Sequence, residues 1–422
     1  MQVFPAPTER TDGGSKGVAV FCRETLWDSP LRISTNSIAR QFAKDGWRVG
    51  WIVDPICPLD FRPTASRTLR ARVGLHRSGG RWHGPRVFEY CPLCLVRAGR
   101  FWPLNTVAAI RGSLLLTMPP IPEVLRRRGL WPVDVLVIAS RSAASALRAI
   151  AAKHVLYHAH DFFADRKSRR ELPGEIEAEL VDKADLVVAA QELHREKIIE
   201  HFGARPEEVV VVPFASDPEM FARQHAEGED LAGVPRPRVV LLGTPTTMDL
   251  GLIAGLAERR SDVSFVHVGP EDPAWARVIG ERSLKNLYLL GPKDYEVLPH
   301  YLPHCDVGLA PYRSADVGAR VVGGFYMKIY DYAAAGLPIV VTEMPGYSGV
   351  RAFMFCAKTI EGFSNALDRA LGYTGEQYRM LKRFSLEAGS WTGRYKEILH
   401  HIGRLAPRRS GASGTARPAK EA

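Results

Sequence analysis

Short runs rich in Val, Ile and Leu alternate along the chain with longer stretches whose apolar positions recur at helical spacing. Near-continuous apolar runs suit strands covered on both faces, and the alternation predicts a parallel sheet with crossover helices. The first strand is "GVAVFC" (17–22), followed by a helix from 33 to 44 that Gly46 ends, then "WRVGWIV" (47–53). After a basic interruption the rhythm resumes with "VDVLVIA" (133–139), a small-residue helix at 140–152 and "HVLYHAH" (154–160). A helix at 175–183, "ADLVVAA" (184–190), a helix at 192–201 and "EVVVVPF" (208–214) complete the series. The next stretch is polar and rich in turn residues, as a linker would be. A second series then runs "RVVLLGT" (238–244), helix 249–259, "VSFVHVG" (263–269), "LYLLGP" (287–292), helix 294–302 and "CDVGLAPY" (305–312). It closes with the Ala-rich helix of "GGFYMKIYDYAAAGLPIVV" (323–341), the strand "PIVVT" (338–342) and helices over 360–403. The expected architecture is two doubly wound α/β domains in tandem, at 17–214 and 237–384, joined by a linker at 215–236 and facing a cleft. Segments 1–16 and 406–422 read as a disordered lead-in and tail, and 385–405 as a terminal helix that could pack back on the first domain.

Composition agrees with this outline. A chain of 422 residues is too long for one ordinary core, and 46% hydrophobic with 24% charged residues fits a globular protein. No apolar run reaches the roughly 18 residues of a spanning helix, and the first residues lack the apolar core of a secretory leader. Six cysteines without a leader are expected as reduced thiols. "CPLC" (91–94) offers half a zinc site with no second pair at suitable spacing, so two half-buried thiols are the plainer expectation.

The net charge of +10 is unevenly spread. From Phe61 to Arg111 there are ten arginines and one acid, Glu89, with Trp82, Phe88, Tyr90, Phe101 and Trp102 among them and "RRR" following at 126–128. Such a segment could meet an anionic membrane or nucleic acid, or could be a solvated basic surface. No zinc-finger, RRM or KH signature supports nucleic acid.

Ligands of open parallel sheets sit beyond the carboxyl ends of the strands. In the second series those ends carry Gly243 and Thr244, Gly269 and Pro270, Gly291 and Pro292, and Pro311 and Tyr312, small or rigid residues that let a backbone approach a ligand. A helix beginning near Phe325 would aim its free N–H groups and dipole into the cleft, with Lys328 in its first turn. Asp331, three residues on, lies about 60° around the axis. Lysine for a diphosphate and aspartate for ribose hydroxyls describe a nucleoside-diphosphate site; a surface ion pair between the two is the alternative.

These motifs resemble the GT-B glycosyltransferases, built from two Rossmann-like domains. The likeness rests on "MKIYDYAAAGLPIVV", on "VVVVPFASDPEMF" at the linker, on "VLYHAHDFFAD" followed by "KADLVVAAQELHREKI", and on the "WDSPLR" loop. Here Asp331 stands where similar members have Glu or Gln. Among subgroups, "HAHD" at a strand end with "YMKIYDY" is most similar to the membrane-associated glucuronosyltransferase of xanthan assembly. That resemblance implies Asp161 as base, with His160 orienting it or touching the donor, and UDP contacts from Tyr312, Met327 and Lys328. It further implies a UDP-sugar donor, no cofactor, no metal, and a lipid-linked saccharide acceptor reached from the inner face of the plasma membrane through region 61–128. Lys293 and Arg313 are candidate partners for a donor carboxylate. Inversion is expected if Asp161 is the base, although it could instead cap the following helix. A retaining transferase, a sugar-nucleotide epimerase and a non-catalytic basic protein are the other readings.

Overall fold

The computed structural model describes residues 14–29, 34–61, 66–95, 104, 106–160, 174–270, 272–313, 327–343 and 353–405. Two sheets form. The first contains β1 (Val18–Arg23), β2 (Arg48–Val53), β3 (Arg81–His83), β4 (Val87–Tyr90), β5 (Val133–Ile138), β6 (Ala152–Ala159), β7 (Leu186–Ala189) and β8 (Val209–Val211). Their order is β3-β4-β2-β1-β5-β6-β7-β8, parallel throughout except for β3 against β4. The second contains β9 (Arg238–Leu242), β10 (Ser264–Val268), β11 (Leu287–Leu289), β12 (Val307–Ala310), β13 (Ile339–Thr342) and β14 (Met354–Ala357). It is parallel throughout, in the order β11-β10-β9-β12-β13-β14. Strand order reverses at β1/β5 and at β9/β12, and those two switch points open crevices where ligands can enter. Every residue of β1, β9, β10, β12 and β13 is buried, which is why the sequence shows unbroken apolar runs there.

The basic interruption is part of the first domain. Helix α1 (Ser34–Lys44) links β1 to β2, and a second helix, α2 (Arg67–Arg77), leads to the β3–β4 hairpin on the sheet edge. Phe88 and Tyr90 are buried in the core and Trp82 packs against it, so these three aromatics do not form the exposed surface expected of them. "CPLC" extends past β4: Leu93 bridges to Ile56, Cys94 bridges to Thr117, and both thiols are buried. Among the described residues no group of His, Cys, Asp and Glu is arranged to hold a metal ion.

Two expected helices are broken. Residues 140–152 form a 3-10 turn (Arg141–Ala143) and a short helix (Ala146–Ala149), where the Ser145 hydroxyl bonds Ser113 and the Leu114 N–H. The helix expected near 294–302 is a pair of 3-10 turns, Tyr295–His300 and Leu302–His304, because Pro299 and Pro303 lack the required N–H groups.

The chain crosses between the domains twice. Ser216 N–H donates to the Gly389 carbonyl (2.8 Å) and Trp391 N–H to the Ser216 carbonyl (3.1 Å). After the second crossing, helix α4 (Trp391–Gly403) packs on α1: Tyr395 Oη donates to Asp45 (2.6 Å), and its ring meets Phe42 edge-on at 4.9 Å.

Helix α3 (Met327–Ala335) rests on the second sheet. Tyr332, fully buried, stands over Gly308, where a Cβ would lie 2.4 Å from its ring. Its phenol accepts from Leu242 N–H (2.9 Å) and points to the Val240 and Leu309 carbonyls, each at 3.2 Å. These are backbone groups that β9 and β12 leave over as they diverge, since their ladder joins only Val307 to Val239 and Gly308 to Val240. Replacing Tyr332 by Phe strands buried polar groups, and urea unfolding is expected to show a loss of about 1–3 kcal/mol. A loss of less than a few tenths would contradict this role.

Candidate active site

Helix α3 ends as its sequence dictates. Gly336 adopts φ +80°, Leu337 N–H bonds the Tyr332 carbonyl (2.8 Å), and Pro338 follows. Ala333 to Ala335 are all buried, which allows close packing on the sheet. The helix is described from Met327 onward; Phe325, where its start was expected, lies outside the described residues.

Lys328 reaches over the β9/β12 switch point. Its Nζ would be 3.1 Å from a Cβ at Gly243 and lies 5.3 Å from the centre of the Tyr312 ring. Burial lowers its pKa to about 8. Gly243 has φ +106° and follows β9; Tyr312 follows β12 and is 1% exposed. Tyr312 therefore supports the lysine through its ring face. The ammonium is thus held at the carboxyl ends of both strands that flank the crevice.

The strand-end glycines hold one another. Gly243 N–H donates to Val268 O (3.0 Å), and Gly269 N–H to Gly291 O (3.1 Å). A Cβ at Gly269 would strike the Gly243 carbonyl at 2.2 Å. His267 Nε2–H also donates to that carbonyl (2.8 Å), and burial, helped by the Lys328 charge, lowers the imidazole pKa. Thr244 caps the short turn Pro245–Thr247 and accepts from the Thr247 hydroxyl through its carbonyl (3.0 Å).

Several expected placements change. Asp331 is 4% exposed, and its Oδ1 accepts from Ser216 Oγ and Tyr295 Oη, both at 2.7 Å. This oxygen faces the linker, and a carboxylate so buried is not part of a surface ion pair with Lys328. Lys293 pairs with Asp230 (2.6 Å) beside the Tyr301 ring, and Arg313 donates to the Thr246 carbonyl. Both cations are thus engaged with groups of the protein. Met327 is half-buried and packs against the first-domain core.

In the first domain, His160 follows β6. Its Nδ1 bonds Ser34 Oγ (2.9 Å) and its Nε2 bonds Thr35 Oγ1 (2.7 Å), at the first turn of α1. The His158 ring lies 4.0 Å away between centroids, and burial holds both imidazoles neutral, His158 at about 3 and His160 well below its ordinary value. With both nitrogens occupied, His160 fastens β6 to α1. Asp161 itself lies outside the described residues. Sequence reading missed Ser216, Tyr295, His267 and Tyr332. His267 had one usable signal, as a polar residue within an otherwise apolar buried strand.

Residues 251–372 match the family described as Glycosyl transferases group 1. TuaH of Bacillus subtilis (strain 168), named for teichuronic acid biosynthesis, is 25% identical over 250 residues. That alignment spans 56% of this chain and 61% of TuaH, under two thirds of its length. Among solved structures, the Anabaena HepE–UDP complex superposes with a TM-score of 0.58 at 15% identity, covering 92% of this chain and all (100%) of that one. Sucrose-phosphate synthase from Thermosynechococcus elongatus gives 0.59 at 13% identity, over 91% and 98%. The chain has the two-domain GT-B fold of these solved structures, and residues 251–372 in its second half match the group 1 glycosyl transferase model.

Proposed function

We propose that the protein transfers a sugar from a UDP-sugar to a hydroxyl of a lipid-linked saccharide. The observation that carries this reading is the Lys328 ammonium at the β9/β12 crevice, beside Gly243 and against Tyr312. A diphosphate leaving group there would meet a fixed positive charge. HepE, a structural neighbour, is solved with UDP and with UDP-glucose, which supports a uridine donor. Asp161 would take the acceptor proton as the hydroxyl attacks C1, giving inversion. With Lys293 and Arg313 engaged elsewhere, the donor is assigned as a UDP-sugar without a required carboxylate.

The lipid-linked acceptor is favoured by the first domain's surface. Leu95, Leu115, Leu116 and Met118 are 64%, 48%, 51% and 65% exposed. Leu95 and Met118 bond the backbones of Leu116 and Leu93, so the four form one apolar patch. It extends from the β4 end, on the cleft side of the sheet. Arg67 and Arg70 on α2 are exposed, and Glu89, the single acid of this stretch, is buried under Trp27 and His83. Exposed aliphatics on a domain that also carries exposed arginines suit an anionic bilayer.

Three measurements test this. Lys328→Met should weaken UDP binding by calorimetry about 10- to 100-fold, the worth of a charged hydrogen bond. Because a bound diphosphate favours the protonated lysine, wild-type UDP affinity should hold below pH 8 and fall, up to about tenfold per unit, above it; the variant should show no such fall. A pH-independent wild type would remove the lysine from the site. Asp161→Asn should abolish transfer while leaving UDP affinity intact, and NMR of the product anomer separates inversion from retention. Vesicle flotation should show salt-sensitive binding to phosphatidylglycerol-containing vesicles that Leu116→Asp/Met118→Asp abolishes; equal binding by that variant would refute the patch.

A further inference from the structure

We propose that Asp331 is a positioning residue that ties the donor-site helix α3 to both chain crossings between the domains. Its Oδ1 accepts two hydrogen bonds, one from each side. Ser216 Oγ, at 2.7 Å, belongs to the first crossing, and Tyr295 Oη, at 2.7 Å, belongs to the loop after β11. The two hydroxyls also lie 3.4 Å from each other. Ser216 is fully buried, and its backbone is bonded on both sides to the second crossing at Gly389 and Trp391. One carboxylate therefore joins three segments that are remote in sequence.

The same helix touches the first domain at its start, where Met327 packs against a core cluster containing Val212, Trp391 and Tyr395. Tyr295 lines a cavity of about 280 Å³ between the domains, whose opposite wall is Trp27, Asp28, Ser29 and Arg40. Any rotation of one domain on the other pivots where the crossings pair. It must either break the Ser216–Asp331 bond or carry α3 with it. Lys328 sits three residues before Asp331 on that helix, so its ammonium moves with the pivot. A carboxylate suits the task because it only accepts, which forces both hydroxyls to point inward. Coupling to the donor rests on the Lys328 reading above; the tie between crossings and helix does not.

The test uses the full-length chain. In the ligand-free protein, Ser216→Ala and Tyr295→Phe each remove one hydroxyl and leave the fold's apolar contacts in place. Hydrogen exchange is expected to quicken together at 214–217, 327–331 and 389–391 in each variant, with β1 and β9 unchanged. Change confined to the substituted segment would overturn the tie. For the donor, Asp331→Ala should weaken UDP binding about tenfold, and Asp331→Asn, whose carbonyl still accepts, should recover most of it. The affinity ratio between UDP and its 2′-deoxy and 3′-deoxy analogues should match wild type in both variants. Collapse of that ratio would place the carboxylate on the ribose and overturn the proposal. If the wild type binds no UDP, the Lys328 assignment fails on its own, and the exchange pattern still decides the Asp331 tie.

Discussion

The second domain depends on one phenol. Tyr332 stands where β9 and β12 part, and its hydroxyl takes up backbone groups from both strands. A parallel sheet whose order reverses at one strand always has such a parting, and unmet N–H and C=O groups there are costly. Filling it from the covering helix fixes that helix in rotation as well as position. Lys328 precedes Tyr332 by four residues and lies only about 40° from it around the axis, so the lysine follows the phenol onto the sheet and reaches the crevice. Asp331 is turned by about 100° from Tyr332, which takes it off the sheet and toward Ser216. The split of roles along α3 therefore follows from helix geometry once Tyr332 is seated.

The two halves of the cleft treat charge differently. On the second sheet, a lysine is retained at a buried strand end although burial works against its proton. On the first sheet, His158 and His160 occupy the comparable position at β6, but hydroxyls from α1 meet His160 and burial keeps both rings neutral. Arg23, itself 8% exposed, also donates to Thr35 Oγ1 (3.2 Å), so the neutral rings stand beside a buried guanidinium.

Much of this was legible in the sequence because both sheets are covered on two faces. Unbroken apolar runs such as "RVVLLGT" mark such strands and limit their order. Lys328 was legible for the same reason, since a cation beside a strand-end glycine has few places to go. Asp331 was not. Spacing put it near Lys328, but its direction is set by Tyr332 and by Ser216, 115 residues away in sequence, and no local pattern carries a contact that distant. The broken helix at 294–302 could have been read more closely, since Pro299 and Pro303 both remove donors that an α-helix needs.

The basic stretch shows how composition can mislead about a surface. Arginines alternating with aromatics suggested that both kinds face outward. Yet β4 places Phe88 and Tyr90 in the core, and its one acid, Glu89, is buried as well, bonded to Trp27 N–H and His83. Burying the acid rather than exposing it leaves the arginines of this surface without a neighbouring counter-charge from their own segment. The apolar exposure comes instead from aliphatic residues after the strand, at 95 and 115–118, which periodicity alone assigns to no element. A strand edge has two faces and both are used here for packing, so any group meant to meet a partner has to lie beyond the strand's end. In a parallel sheet that end is also where the cleft opens, which is why an outward-facing apolar patch and an inward-facing site can share one rim.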